Sequence, residues 1–242
     1  TGKVFMARNG AFEGLDCAFA WHGGKANAVS IGSSNGLNSA IFHFKGRTAH
    51  AGGDPHNGRS ALDAAELMSV GANYLREHVT SDIRIHYVYK EAGTAPNIVP
   101  DRASVWYYVR GMSRPAIEDA YDRLVKVAKG AAMMTETELE IEFLGGCYNT
   151  LNNKVLVEVL HDAQVNVPHP EYTEEELKFA EELNKQSPMY EQCKANGELD
   201  NGPIHTGVAP MVAVNGGGST DVADVQQLCP CIMVNTATCN LA

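Results

Sequence analysis

No stretch of this 242-residue sequence approaches the roughly 18 consecutive apolar residues of a membrane-spanning helix. The opening "TGKVFMARNGAFEG" also lacks the charged-then-apolar order of a secretory signal. Basic residues are scarce: 19 Lys and Arg stand against 29 Asp and Glu, a net charge of −10. Nowhere do they gather with aromatics as a nucleic-acid groove requires. Membrane and nucleic acid are therefore not expected as partners. Among the six cysteines, at 17, 147, 193, 229, 231 and 239, no pair has the Cys-x-x-Cys spacing of a zinc knuckle or a thioredoxin-like redox site. A single proline between Cys229 and Cys231 makes a mutual disulfide or a shared metal geometrically awkward. Reduced thiols without a signal segment suggest a soluble, cytoplasmic protein. A phosphate loop is missing too, because "GGGSTDVADV" at 216–225 has no following Lys. Its Ser219, Thr220 and Asp221 read either as an anion-receiving helix start or as a plain N-cap.

What the chain does have is 44% hydrophobic residues, enough to bury one good core or two small ones. "NSAIFHFKG" at 38–46 alternates, with Ala40, Phe42 and Phe44 on one face, as a half-buried strand does. Leu62, Ala65, Met68, Ala72 and Leu75 then recur at helical spacing, which predicts a helix from about Asn57 to His78, with Ser60 and Asp63 as a capping-box-like start. "IRIHYVYK" and "RASVWYYVRG" read as strands, rich in β-branched and aromatic residues. Ser113 is expected to cap a second helix, with Pro115 in its first turn, running to about Met134. "ETELEIEFLG" closes the series as a strand. The order over 38–145 is β-α-β-β-α-β, a ferredoxin-like unit whose two helices cover one face of a four-stranded sheet, with its second strand at an edge.

The flanks, 1–37 and 146–242, read as parts of one α/β domain that the ferredoxin-like unit interrupts. "CAFAW" and "PCIMVN" look like short buried strands of a parallel sheet. "NKVLVEVLHDA" and "TEEELKFAEELNKQ" look like its helices, the latter with a Thr173–Glu176 capping box. The chain begins without Met and stops just after an apolar run, so a fragment is expected.

Four residues stand out chemically. His22 ends a strand and precedes Gly23-Gly24, where α/β folds place functional side chains, although a lone His is as readily packed or solvated. His50 sits among Ala49, Gly52 and Gly53, which leave its ring uncovered, or it belongs only to the turn that enters the helix. His56, beside Pro55, fits that turn better. Asn97 lies in a turn between two prolines, and Arg110 ends the following strand. Brought together, such an amide and guanidinium could hold a carboxylate; apart, they would be a turn residue and a surface ion-pair partner.

Taken together, "GRTAHAGGDPHNGRSALDAAELM", "APNIVPD" with the "VR" that follows, and "GSTDVADV" resemble the zinc-dependent aminoacylase and carboxypeptidase family. The resemblance falls in its amidohydrolase branch, to which "GKVFMARNGAFEGLDCAFAWH" and "KGAAMMTETELE" are also similar. It implies a partial α/β metallohydrolase catalytic domain at 1–37 and 146–242, interrupted by a ferredoxin-like lid and dimerisation domain at 38–145. It implies hydrolysis of amide bonds in N-acyl amino acids by two divalent metal ions, zinc or manganese, within a homodimer. By the same resemblance His22 is a metal ligand, His50 a catalytic residue reaching the partner's site, and Asn97 and Arg110 the grip on substrate. The family's Gly-His-Asp segment, its Glu-Glu pair and its last His ligand have no counterpart here, so an incomplete metal site and an inactive piece are expected. A non-catalytic dimerisation or ligand-binding module is the alternative. Dimerisation is expected through "IRIHYVYK" and the preceding helix, where Gly71 and Ala72 would allow a partner's close approach.

Overall fold

The computed structural model describes residues 2–242. In chain order the elements are α1 (Gly2–Arg8), β1 (Ala18–Gly24), β2 (Ala28–Val29), β3 (Gly36–Lys45), α2 (Ala61–Leu75), β4 (Arg84–Glu91), β5 (Arg102–Gly111), α3 (Arg114–Thr135), β6 (Glu138–Cys147), α4 (Lys154–Asn166), α5 (Glu174–Gln186), α6 (Tyr190–Ala195), α7 (Val222–Val225) and β7 (Cys231–Ala237). They divide into two compact units. One is residues 1–4, 34–150 and 216–223; the other is 5–33, 151–215 and 224–242.

The first unit is an antiparallel sheet in the order β4-β5-β3-β6, with α2 and α3 on one face. This is the ferredoxin-like arrangement, and its second strand, β4, is an edge. The alternation in β3 explains the layering: Ala40, Phe42 and Phe44 pair with Tyr107, Val105 and Ala103 of β5, and all six are buried beneath the helices. Burial of a side chain such as Phe42 contributes about 1.5–3 kcal/mol. Phe42 also meets Tyr107 edge to face at 5.7 Å, and the Tyr107 hydroxyl donates to Ser69 Oγ at 3.2 Å. Desolvation raises that phenol far above its ordinary range.

Helix α2 starts four residues later than its apolar stripe suggests, because Pro55–Asn57 forms a separate single turn of 3₁₀ helix and Ser60 is the true cap. The Ser60 hydroxyl accepts from Asp63 N–H at 3.1 Å and donates to its carboxylate at 2.8 Å. Ser113 occupies the N-cap of α3 in extended geometry, yet its side chain makes no capping bond. Gly71 and Ala72 do not serve an outside partner. A Cβ on Gly71 would lie 2.5 Å from Val127 Cγ1, so its glycine lets α2 approach α3, and Ala72 is inside the core.

The second unit holds a three-stranded sheet, β1-β7-β2, in which β1 and β7 run parallel and β2 pairs antiparallel to β7. Val29, Val157 and Ile232 form a small core where α4 packs on β2 and β7. The strand at "CAFAW" exists, but it is not a buried one. Phe19 and Trp21 are 57% and 69% exposed, because β1 is an edge strand bonded to β7 alone. The capping box of α5 is complete: Thr173 Oγ1 accepts from Glu176 N–H, and the Glu176 carboxylate accepts from Thr173 N–H at 2.8 Å.

Candidate active-site residues

Two loops at one end of the four-stranded sheet are zipped together by backbone hydrogen bonds. Gly46 N–H donates to Asp101 O at 2.8 Å, Val99 N–H to Ala49 O at 2.9 Å, Ala51 N–H to Asn97 O at 2.9 Å, and Ala61 N–H to Pro100 O at 2.8 Å. Gly46 has to be glycine, since a Cβ there would collide with the Arg59 carbonyl. His50 and Ile98 form an isolated bridge within this zipper. The structure thus brings the His50 and Asn97 segments together, and both residues are exposed. His56 pairs with Asp54 at 3.3 Å, as a turn residue would.

The His50 ring is oriented by its own loop. Its Nδ1 accepts from Gly53 N–H at 2.9 Å and from Gly52 N–H at 3.2 Å. A nitrogen that accepts cannot carry the proton of a neutral imidazole, so the hydrogen sits on Nε2, which becomes a donor. His22 is set the opposite way. At the carboxyl end of β1, its Nδ1 lies 2.6 Å from Gly23 O, and since a carbonyl only accepts, Nδ1 bears the proton. The Nε2 lone pair is left available, which is the tautomer of a metal-ligating histidine. One His is a donor and the other a ligand, each fixed by adjacent backbone.

Arg110 lies elsewhere. It is eight residues along β5 from Arg102, roughly 26 Å at about 3.3 Å per residue, so within one chain it occupies the far end of the sheet from His50 and Asn97. Its guanidinium sits over the Tyr108 ring at 5.1 Å, and its Nε is buried without a hydrogen-bond partner among the described residues. It faces a hollow of about 300 Å³ on the sheet face away from the helices, lined also by His86, Tyr87, Val88, Trp106 and Tyr108. Burial, then Arg110 and Arg76, hold the His86 imidazole below its usual range. Sequence reasoning passed over these neighbours. Their alternation was visible as a strand, but which face stays open depends on where the helices pack.

At the Ser219-Thr220-Asp221 segment the anion reading gives way to a structural one. Asp221 accepts from Lys3 N–H at 2.9 Å and from Lys3 Nζ at 2.8 Å. Burial pushes its pKa up, but these bonds outweigh burial and leave it lowered. The helix that follows, α7, has only four residues.

Residues 33–136 match the peptidase dimerisation domain of the M20 class. The chain belongs to the M20 family of peptidases and amidohydrolases. Within that family it is similar to one of the two kinds of chain of p-aminobenzoyl-glutamate hydrolase from Escherichia coli (strain K12), with 35% identity over 267 residues, 98% of this chain and 54% of that protein. Xaa-Arg dipeptidase of Mus musculus is 30% identical over 64% of this chain and 36% of its own length. The chain therefore spans about half, or less, of the curated relatives it matches. The crystal structure of an aminobenzoyl-glutamate utilization protein from Klebsiella pneumoniae shares the fold, with a TM-score of 0.67 at 23% identity, over 96% of this chain and 53% of that one.

Members of the family are generally metal-dependent. Among the described residues, no three or more His, Cys, Asp or Glu gather closely enough to hold a metal ion. His22 is poised as a ligand but stands by itself, so no step below runs through a metal.

Proposed function

We propose that the intact protein hydrolyses the amide bond of N-acyl amino acids as a homodimer joined through β4, with 38–145 as the lid and dimerisation domain and 1–37 and 146–242 as parts of the catalytic domain. The observation that carries this reading is the separation of His50 and Asn97 from Arg110 along one sheet whose edge strand is β4. In an isologous antiparallel pairing of two β4 strands, the Glu91 end of one lies beside the Arg84 end of the other. Glu91 marks the His50–Asn97 end of the sheet, and Arg84 pairs directly with Arg110. A two-fold axis therefore carries each protomer's His50 and Asn97 toward its partner's Arg110.

In that composite site Arg110 binds the substrate carboxylate through paired N–H groups. Asn97 adds an amide donor, and the Nε2–H of His50 points its proton at the scissile carbonyl as negative charge grows on the oxygen. His22 serves as one ligand of the zinc or manganese pair. The name of the Escherichia coli relative directs the substrate toward p-aminobenzoyl-glutamate-like amides. Among the described residues no helix is long and apolar enough to cross a membrane, and the six cysteines are all free, which supports the reducing cytoplasm as location.

The test is His50→Ala in the intact protein. Loss of one oxyanion donor lowers kcat by about 10²–10³-fold, with dimer mass and KM held. Unchanged kcat would remove His50 from the chemistry.

A further inference from the structure

The open face of the β4–β5 pair is not an ordinary solvated surface. On β5 the residues Trp106, Tyr108 and Arg110 follow at every second position, and the register sets Val88, His86 and Arg84 of β4 opposite them. Trp106 is pinned by its Nε1–H, which donates to Ser39 Oγ at 2.9 Å. Its ring meets Tyr108 edge-on at 5.4 Å, and Tyr108 in turn meets His86 at 5.7 Å. Cations close both ends of this aromatic row, with the Arg110 guanidinium 5.1 Å from the Tyr108 ring and Lys90 Nζ 5.6 Å from the Trp106 ring.

We propose that Trp106, Tyr108 and His86 form with Arg110 an aryl-carboxylate subsite, in which Arg110 takes the carboxylate and the aromatic wall takes an aromatic acyl group, so that this face selects aroyl over alkanoyl amino acids. The inference rests on the proposed hydrolase reading and adds the acyl half of the substrate to it.

Three features argue for that ligand class. The Arg110 Nε is an orphaned buried donor, a costly state that an anionic acceptor relieves. The hollow of about 300 Å³ accommodates one substituted ring and its amide. The charges are all of one sign: Arg84, Arg110 and Lys90 oppose a cationic ligand, while His86 is kept toward its neutral form and leaves the carboxylate to Arg110. An alkanoyl acid would satisfy Arg110 and leave the rings unused.

The sequence has two tryptophans, Trp21 and Trp106, so Trp21→Phe leaves Trp106 as the single indole reporter. Titration of this variant with N-benzoyl-L-glutamate is expected to quench the fluorescence saturably, with affinity about tenfold above that for N-acetyl-L-glutamate. Followed by calorimetry, Trp106→Leu should bring the benzoyl compound down to the acetyl level, Trp106→Phe should retain the preference, and Arg110→Gln should weaken both ligands. Equal affinities that still depend on Arg110 would overturn the aromatic subsite and leave the carboxylate role standing. Binding indifferent to Arg110, or none at all, would overturn both.

Discussion

The two units of this chain solve the same problem unequally. In the 34–150 unit, two ten-residue strands lie at the centre of a sheet whose helix-facing residues are almost wholly buried. In the other unit only Val29, Val157 and Ile232 make a comparable cluster, while Trp21, Val155 and Phe179 each remain more than 60% exposed. The apolar patterns are equally regular in both. Amphipathic spacing thus specifies an element, and burial requires a neighbouring element to cover it.

The most direct way to break that contrast is limited proteolysis. Cleavage is expected first within 151–215, at a rate about tenfold or more above that within 34–150, because local opening scales with missing apolar contacts. Mass spectrometry of the early fragments decides this, and initial cuts in α2 or β5 would reverse the comparison. A smaller effect sharpens it from inside. Phe42→Ala should destabilise the 34–150 unit by about 3–5 kcal/mol in denaturant unfolding. Ile232→Ala should cost less, because fewer neighbours surround the space it leaves.

The smallest effect concerns pH. An unfolded His titrates near 6.5, and His86 is held lower in the fold. Between those two values the unfolded chain binds more protons, so stability is full above about 6.5 and falls as pH drops toward the folded pKa. His86→Gln should flatten that slope, measured as the urea midpoint against pH. A slope that persists unchanged in the variant would assign the acid sensitivity elsewhere.

The ferredoxin-like unit was legible because its strands and helices alternate between periods of two and about 3.6, and their order admits one familiar topology. The start of α2 was less so. The stripe through Leu62 and Met68 cannot reveal that Pro55–Asn57 closes its own turn. Gly71 shows a similar limit: a small residue on a helix signals close approach but does not name the partner, which here is Val127 of the same chain. At the site, the motif residues were visible from their spacing and resemblance. The tautomers of His22 and His50 were not, since they depend on whether a backbone carbonyl or a backbone N–H meets Nδ1. The aromatic row beside Arg110 required knowing which sheet face the helices leave open.

The central claim is that His50 of one protomer works with Arg110 of the other, and mixing of protomers tests it most directly. His50→Ala and Arg110→Gln are each expected to be nearly inactive alone in the intact protein. In heterodimers isolated with two different affinity tags, one of the two sites combines a native His50 with a native Arg110, so N-acyl amino acid hydrolysis should return to about half the native rate per dimer. Heterodimers of confirmed composition that stay as inactive as either parent would contradict the account.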